Sequence, residues 1–391
     1  MARGPCGAVA AAEEGFVTHG PIEHGASLRE TAGSGSRRRI LVRAVGDEQV
    51  ASTRFRVLMH LNGLSSEGFD VDVEMRSAPR SRWLRLPSRL FELLHDTTSR
   101  PDADLLFIHR RTYPPPFARC LTGFGLPVVF DFDDALYLPP PSADQGTRSH
   151  QRYHRNFDAT CRAAELVICG NSELARQVPH DRVETVPTAI DCRKFSPSAI
   201  APATGPVIGW VGYSDNLPYL EALADPLREL AHRHQNLRLL VVADRPPQID
   251  GVRVDFRPWS LATEVSCFGN MAIGVMPLDD TPWTRAKCSF KLLQYMALGI
   301  PSVASPVGMN REVVDDGRNG CLASTPDEWF NCLNRLLSDS DLRQQFAAAG
   351  RSTVVDRYSL EVISSRLIGL LNGVLDNWTR ADRRQRHGPR K

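Results

Sequence analysis

The sequence predicts an α/β chain built as two Rossmann-like, doubly wound domains in tandem, facing a central cleft. Three observations predict it. Short β-rich apolar runs alternate with amphipathic stretches twice over along the 391 residues. The strand candidates are almost continuously apolar, as in parallel sheets covered on both faces. Pro197, Pro202 and Gly205 break the periodicity near the middle and mark a junction.

The elements follow in order. Residues 1–36 are rich in Gly, Ala and Ser without periodicity and are expected to be disordered. The first domain, 37–198, has strand candidates at 40–45, 71–75, 104–109, 128–133, 166–169 and 183–187, with a helix over 55–64. The second, 204–358, has strands at 207–211, 237–243, 252–256, 273–277, 302–304 and 321–323, with helices over 217–232 and 328–337. An amphipathic helix over 359–378 and a basic tail over 379–391 close the chain.

Composition narrows the function. An apolar fraction of 42% is ample for two cores, and a net charge of +2 gives no global field for a nucleic-acid partner. Nine cysteines without a CxxC pair suit reduced thiols in a cytoplasmic protein. No apolar run approaches the roughly 18–20 residues that span a bilayer, and the N-terminus lacks the pattern of a signal peptide. Arg380, Arg383, Arg384, Arg386, Arg390 and Lys391 crowd the tail. They form a solvated end, or a peripheral contact with anionic lipid at the inner membrane face, at about 1 kcal/mol per cation.

The stretch 287–320 reads as helix, strand, glycine loop, helix. Lys287, Lys291 and Gln294 are spaced four and three apart, which puts them on one helical face opposite Leu292, Leu293 and Met296. Two cations and an amide there suit a nucleotide diphosphate and its ribose; the plain alternative is a solvated face. In the loop Val307-Gly308-Met309-Asn310, Gly308 permits close backbone approach, and free amides at a helix start favour an anion. Glu312, in the first turn, is a ligand group or a helix-dipole partner. Gly212 ends the strand Gly209-Trp210-Val211-Gly212, so no side chain blocks its tip, and Tyr213 follows. Ser214 and Asp215 suit a helix cap. With the common strand order 3-2-1-4-5-6, these loops meet at the switch point of the second sheet.

In the first domain, Asp131, Asp133 and Asp134 crowd a strand end. One carboxylate braces the loop; another, by preference Asp133, faces the cleft to hold a sugar hydroxyl or a developing positive charge. A metal would need a second ligand cluster, and none is expected. Arg54 and Arg56 follow the first strand and are candidates for phosphate or acceptor contact, with at least one on an exposed face.

These blocks resemble the retaining GT-B glycosyltransferases of glycosyltransferase family 4. The resemblance covers the second domain through Gly209 to Gly212, Pro301 to Ser305, Gly308 to Glu312, Asp316 to Gly320 and Arg357-Tyr358-Ser359. It reaches the first through Ser52 to Arg56, Phe130 to Leu136 and Val186 to Asp191. It implies two Rossmann-like domains and a final helix that crosses back to the first. It also implies transfer of sugar from a nucleotide-diphosphate sugar donor with retention and no obligatory metal. Lys287, Lys291 and the Gly308–Asn310 backbone match the family's diphosphate-binding positions. Departures exist: Ala286 and Gln294 stand where the family commonly has glutamates, no cation lies in 213–219, and Asp133-Asp134 replaces a His-Asp pair. The acceptor, a saccharide, a lipid-linked group or a small molecule, is expected against first-domain loops at 83–94 and 137–150. Two competing readings are a non-catalytic sugar-nucleotide-binding or assembly protein and a sugar-nucleotide epimerase.

Overall fold

The computed structural model describes residues 37–76 and 85–387. The segment 1–36, the start of the 83–94 loop and the end of the basic tail lie outside them, as do the side chains of 76, 85–89 and 380–387. All twelve expected strands form. They are β1 (Arg38–Val45), β2 (Phe69–Arg76), β3 (Leu105–His109), β4 (Val128–Phe132), β5 (Leu166–Cys169) and β6 (Val183–Thr185) in the first lobe. The second lobe has β7 (Val207–Val211), β8 (Arg238–Ala243), β9 (Arg253–Pro258), β10 (Ile273–Met276), β11 (Ser302–Ala304) and β12 (Cys321–Leu322).

Two expected helices are broken. The 55–64 helix is α1 (Ala51–Arg56), a tight turn at Leu58–His60 and α2 (Leu61–Ser66), interrupted at Val57, whose φ is −123°. The 217–232 helix splits, because Pro226 lacks an N–H and its ring clashes with a carbonyl one turn back. The pieces, in chain order after α3 (Arg85–Thr98), α4 (Pro115–Thr122), α5 (Thr147–Ala163) and α6 (Ser172–Ala175), are α7 (Leu217–Glu221) and α8 (Ala224–Arg233). The expected acceptor loop at 83–94 is helical from Arg85 onward, as part of α3, and the loop at 137–150 gives way to α5 at Thr147. The remaining helices are α9 (Pro282–Arg285), α10 (Phe290–Ala297), α11 (Asn310–Val313), α12 (Pro326–Ser338), α13 (Ser340–Tyr358) and α14 (Leu360–His387).

Each lobe holds one six-stranded parallel sheet. The first has the order β2-β1-β3-β4-β5-β6, the second β12-β11-β10-β7-β8-β9. Counted within its own lobe, the second is the expected 3-2-1-4-5-6. The first reverses direction between β1 and β3, the second between β7 and β10, and ligands in such sheets bind beyond the strand ends at these reversals.

Helix α14 returns to the first lobe and runs past residue 378 to His387. Ile363, Leu367, Leu371 and Val374 share a buried cluster with Ile40, Val42 and Leu105. At the crossing, Ile190 N–H donates to Tyr358 O at 3.0 Å and Leu360 N–H to Ile190 O at 2.9 Å. Among the described residues no helix is long and apolar enough to cross a membrane.

Candidate active site

The lysine pair is assembled differently from the sequence expectation. Ser289 adopts φ 52° and starts α10, so Lys287 precedes the helix and does not share a helical face with Lys291 and Gln294. Helix α10 is buried almost all round, Gln294 included at 8% exposure. Its Lys291 and the preceding Lys287 nevertheless line one cavity of 240 Å³ between the lobes. The Lys291 ammonium lies 5.3 Å from the Trp210 ring, and the Lys287 ammonium 5.9 Å from that of Trp283. Gly212 makes room for Lys291: a Cβ there would sit 2.6 Å from the Trp210 ring and 2.9 Å from Lys291 Cε. Among the described residues neither lysine has a carboxylate within ion-pair reach. Burial, and secondarily Lys287, push the Lys291 ammonium down to about 7. Among the described residues the pair makes no ion pair of its own, and the carboxylates of the cavity stand on its opposite wall.

The glycine loop lies beside it. Gly308 has φ 50°, and a Cβ there would lie 2.3 Å from the Arg285 carbonyl oxygen, so only glycine fits. The expected helix is a single turn, α11. Asn310 is a brace: its N–H donates to Val307 O at 3.1 Å, its side-chain amide to Ser305 O at 2.9 Å, and its Oδ1 accepts from Ser289 Oγ at 2.7 Å. That removes the Asn310 amide from the expected anion cradle. The amides of Gly308 and Met309 have no acceptor among the described residues, and the Val307 and Met309 side chains are buried. Glu312 accepts a hydrogen bond from Ser172 Oγ of the first lobe at 2.5 Å. Tyr213 stands half-exposed at the rim, its ring 6.2 Å from that of Trp259.

The first lobe supplies the opposite wall with Ser52, Phe55, Arg110, Asp133 and Asp134. Asp133 faces the cavity, accepts from Ser52 Oγ at 2.9 Å and lies 3.4 Å from Arg110. Asp134 pairs with Arg110 at 3.0 Å. Asp131 is the brace. Register places it opposite His109 across β3 and β4, and His109 Nδ1 lies 2.7 Å from Asp131 Oδ2. Arg56 clamps both Asp131 oxygens. Burial alone would raise the Asp131 carboxyl, but Arg56 and the His109 contact hold it well below the usual carboxylate range. The carboxylates of the Asp131–Asp134 run are thus engaged by arginines and Ser52.

Neither arginine candidate is free. Arg56 is 5% exposed and spent on Asp131. Arg54 ion-pairs with Glu264 of the second lobe at 2.6 Å and bonds the Glu48 and Gln49 carbonyls. Glu264 also takes Lys194 at 2.7 Å. Two contributors escaped the sequence reading. His109 ends an apolar strand and looks like a buried core residue. Asn171 donates its amide across the cleft to the Ala286 and Lys287 carbonyls, both at 3.0 Å, which fixes the backbone that carries Lys287.

Two lobes with parallel sheets, a cleft at both switch points and a returning last helix define the GT-B class of glycosyltransferase folds. Solved structures support the class over most of the chain. Sucrose-phosphate synthase from Thermosynechococcus elongatus is 15% identical, with 87% of this chain and 100% of that one covered and a TM-score of 0.67. HepE of Anabaena, in complex with UDP and glucose, is 16% identical, with 86% and 100% covered and a TM-score of 0.62. A glycosyltransferase from Rickettsia africae is 13% identical, with 88% and 100% covered and a TM-score of 0.63. Within the class, residues 205–339 match the sequence family Glycosyl transferases group 1, which spans the second lobe from β7 through α12. No curated protein sequence matches the chain.

Proposed function

We propose that the cleft transfers a sugar from a nucleotide-diphosphate sugar to a hydroxyl acceptor, with retention at the anomeric carbon. The observation that carries this reading is the unpaired cation site: Lys287 and Lys291 line one inter-lobe cavity, and the Gly308 loop packs on the Arg285 backbone and, through Asn310, on Ser289 close by in the chain. The HepE title, naming UDP and glucose, supports a nucleotide-sugar donor for a fold of this kind.

The chemistry runs as follows. Negative charge grows on the diphosphate as the bond from C1 to its oxygen breaks. Lys287, Lys291 and the Gly308 and Met309 amides are preorganised to stabilise that charge. The departing phosphate oxygen takes the acceptor proton while the acceptor oxygen bonds C1 on the same face. Asp133 holds a hydroxyl of the sugar or the positive charge developing at C1. Gln294, one turn beyond Lys291 and 8% exposed, is the proposed ribose contact, and Tyr213 is the proposed contact for the base. No obligatory metal enters this scheme. The acceptor is a saccharide, a lipid-linked group or a small molecule, met by the first lobe.

A panel of nucleotide diphosphates read by thermal stabilisation identifies the donor base, since a ligand that binds only the folded chain raises its apparent stability. Lys291→Ala should then cut turnover with the matching donor by about 3 kcal/mol of barrier. A non-catalytic binder is the second reading, favoured by Ala286: it is fully buried and offers the donor sugar no polar group. Calorimetric binding without transfer across a donor and acceptor panel would decide for it.

A further inference from the structure

Ser52 and His109 straddle the switch point of the first sheet, Ser52 following β1 and His109 ending β3. Ser52 Oγ lies 2.7 Å from His109 Nε2 and 2.9 Å from Asp133 Oδ1. With His109 Nδ1 at 2.7 Å from Asp131 Oδ2, the run Asp131–His109–Ser52–Asp133 is one continuous chain of contacts with a carboxylate at each end. It leads from a fully buried ion pair to the cavity.

Counting hydrogens fixes its polarity. An ionised carboxylate only accepts. Asp131 already accepts from Arg56, so the hydrogen between it and His109 belongs to Nδ1. Ser52 brings one hydrogen to two contacts. If that hydrogen points at His109, Asp133 loses its 2.9 Å hydrogen bond and keeps only the longer ion pair to Arg110 at 3.4 Å. If it points at Asp133, the hydrogen between Ser52 and His109 sits on Nε2, and both ring nitrogens donate. The charges favour the second arrangement. Asp131, Asp133 and Asp134 face Arg56 and Arg110, and an imidazolium closes that balance. The other groups around the site are Lys287, Lys291 and the Cys288 thiol from the second lobe, with His60 beyond Arg56. The thiol is kept neutral by burial and then by Asp133, while the lysines lie across the cavity.

We propose that Ser52 and His109 are positioning residues for Asp133: a doubly protonated His109 turns the Ser52 hydroxyl onto Asp133 Oδ1 and leaves Oδ2 as the acceptor presented to a sugar hydroxyl in the cavity. The hydroxyl ligand rests on the sugar-transfer reading; the hydrogen arrangement does not. The geometry resembles that of an activated serine, but the role differs. A nucleophilic serine needs a histidine nitrogen free to take its proton, and here Nε2 already holds one.

The test is nuclear magnetic resonance on protein labelled with ¹⁵N-histidine, with His109 assigned by its loss in H109Q. The wild type should show a hydrogen on both His109 nitrogens at neutral pH. D133N removes one carboxylate and supplies a group able to donate to Ser52, so the Nε2 hydrogen should vanish. An Nε2 without hydrogen in the wild type, or one whose hydrogen survives in D133N, overturns the proposal. Should D133N not fold, the wild-type spectrum alone decides. In turnover assays S52A should lower kcat by about tenfold to a hundredfold with the donor KM unchanged, and S52T, which keeps the hydroxyl, should restore it. A loss in donor KM alone, or no rescue by S52T, counts against a positioning role. If no nucleotide diphosphate binds at all, the sugar-transfer reading falls while the spectra still judge the hydrogen chain.

Discussion

Lys291 lies across Gly212 so closely that a Cβ on the glycine would stand 2.9 Å from the lysine Cε. The tip of β7 and the first turn of α10 therefore share one packing surface, and the lysine keeps its place only while position 212 has no side chain. Gly212→Ala should push Lys291 out of line and crowd Trp210. A stability loss of about 1–3 kcal/mol is expected from overpacking, together with weaker binding of whichever nucleotide diphosphate the wild type prefers. Paired melting and calorimetry check it; unchanged affinity would separate Lys291 from the anion site.

Lys291 itself trades stability for charge. Its ammonium titrates near 7 when folded and near 10.5 when unfolded. Between those values the unfolded chain binds the extra proton, so this group's penalty is full below about pH 7 and fades as pH rises toward 10.5. Lys291→Met should stabilise the free protein by about 1–3 kcal/mol at neutral pH while abolishing diphosphate binding. In the wild type, affinity should fall as pH rises through 7, because the free lysine loses its charge. Urea unfolding and calorimetry across pH read both effects.

Asn171 ties the lobes at the base of the lysine site. Asn171→Ala removes both hydrogen bonds to the 286–287 backbone and its cap on the Leu174 N–H. A loss of about 1–3 kcal/mol is expected, and diphosphate affinity should fall although no ligand contact is removed. Unaltered affinity with lowered stability would show that Lys287 does not depend on this tie.

His60 makes the first lobe acid-sensitive. It is 3% exposed, with Nδ1 2.7 Å from Ser364 Oγ of α14. Burial, and then Arg56, depress it from 6.5 to about 4. Between those values the unfolded state holds more protons, so stability should drop as pH falls through that window, by up to about 3 kcal/mol in total. Denaturant titrations at stepped pH should show the slope, and His60→Gln should flatten it.

The strands were the most legible part of the chain, because apolar runs such as 207–211 and 166–169 have no other stable use than a sheet covered on both faces. The second-sheet order could be anticipated as the common one for its class, and that sufficed to bring Gly212 beside the lysines. Lys287 was harder. Helical spacing suggested a shared face, whereas the left-handed turn at Ser289 depends on a tertiary bond to Asn310 that local sequence does not encode. Arg54 and Arg56 were read as ligand contacts because their partners, Glu264 and Asp131, lie 210 and 75 residues away. Long-range pairing of that kind also hid His109, whose meaning comes from the register between β3 and β4.

The two chain crossings between the lobes run side by side, joined where Ile190 meets Tyr358 and Leu360. Arg351 adds a rivet there, donating to the Cys192 and Phe195 carbonyls of the outgoing strand of chain. A pair of stitched crossings permits a page-like swing about one spine and resists sliding or twisting. A rotation about that spine would separate the lysine wall from the aspartate wall at the fore-edge while the spine stays bound.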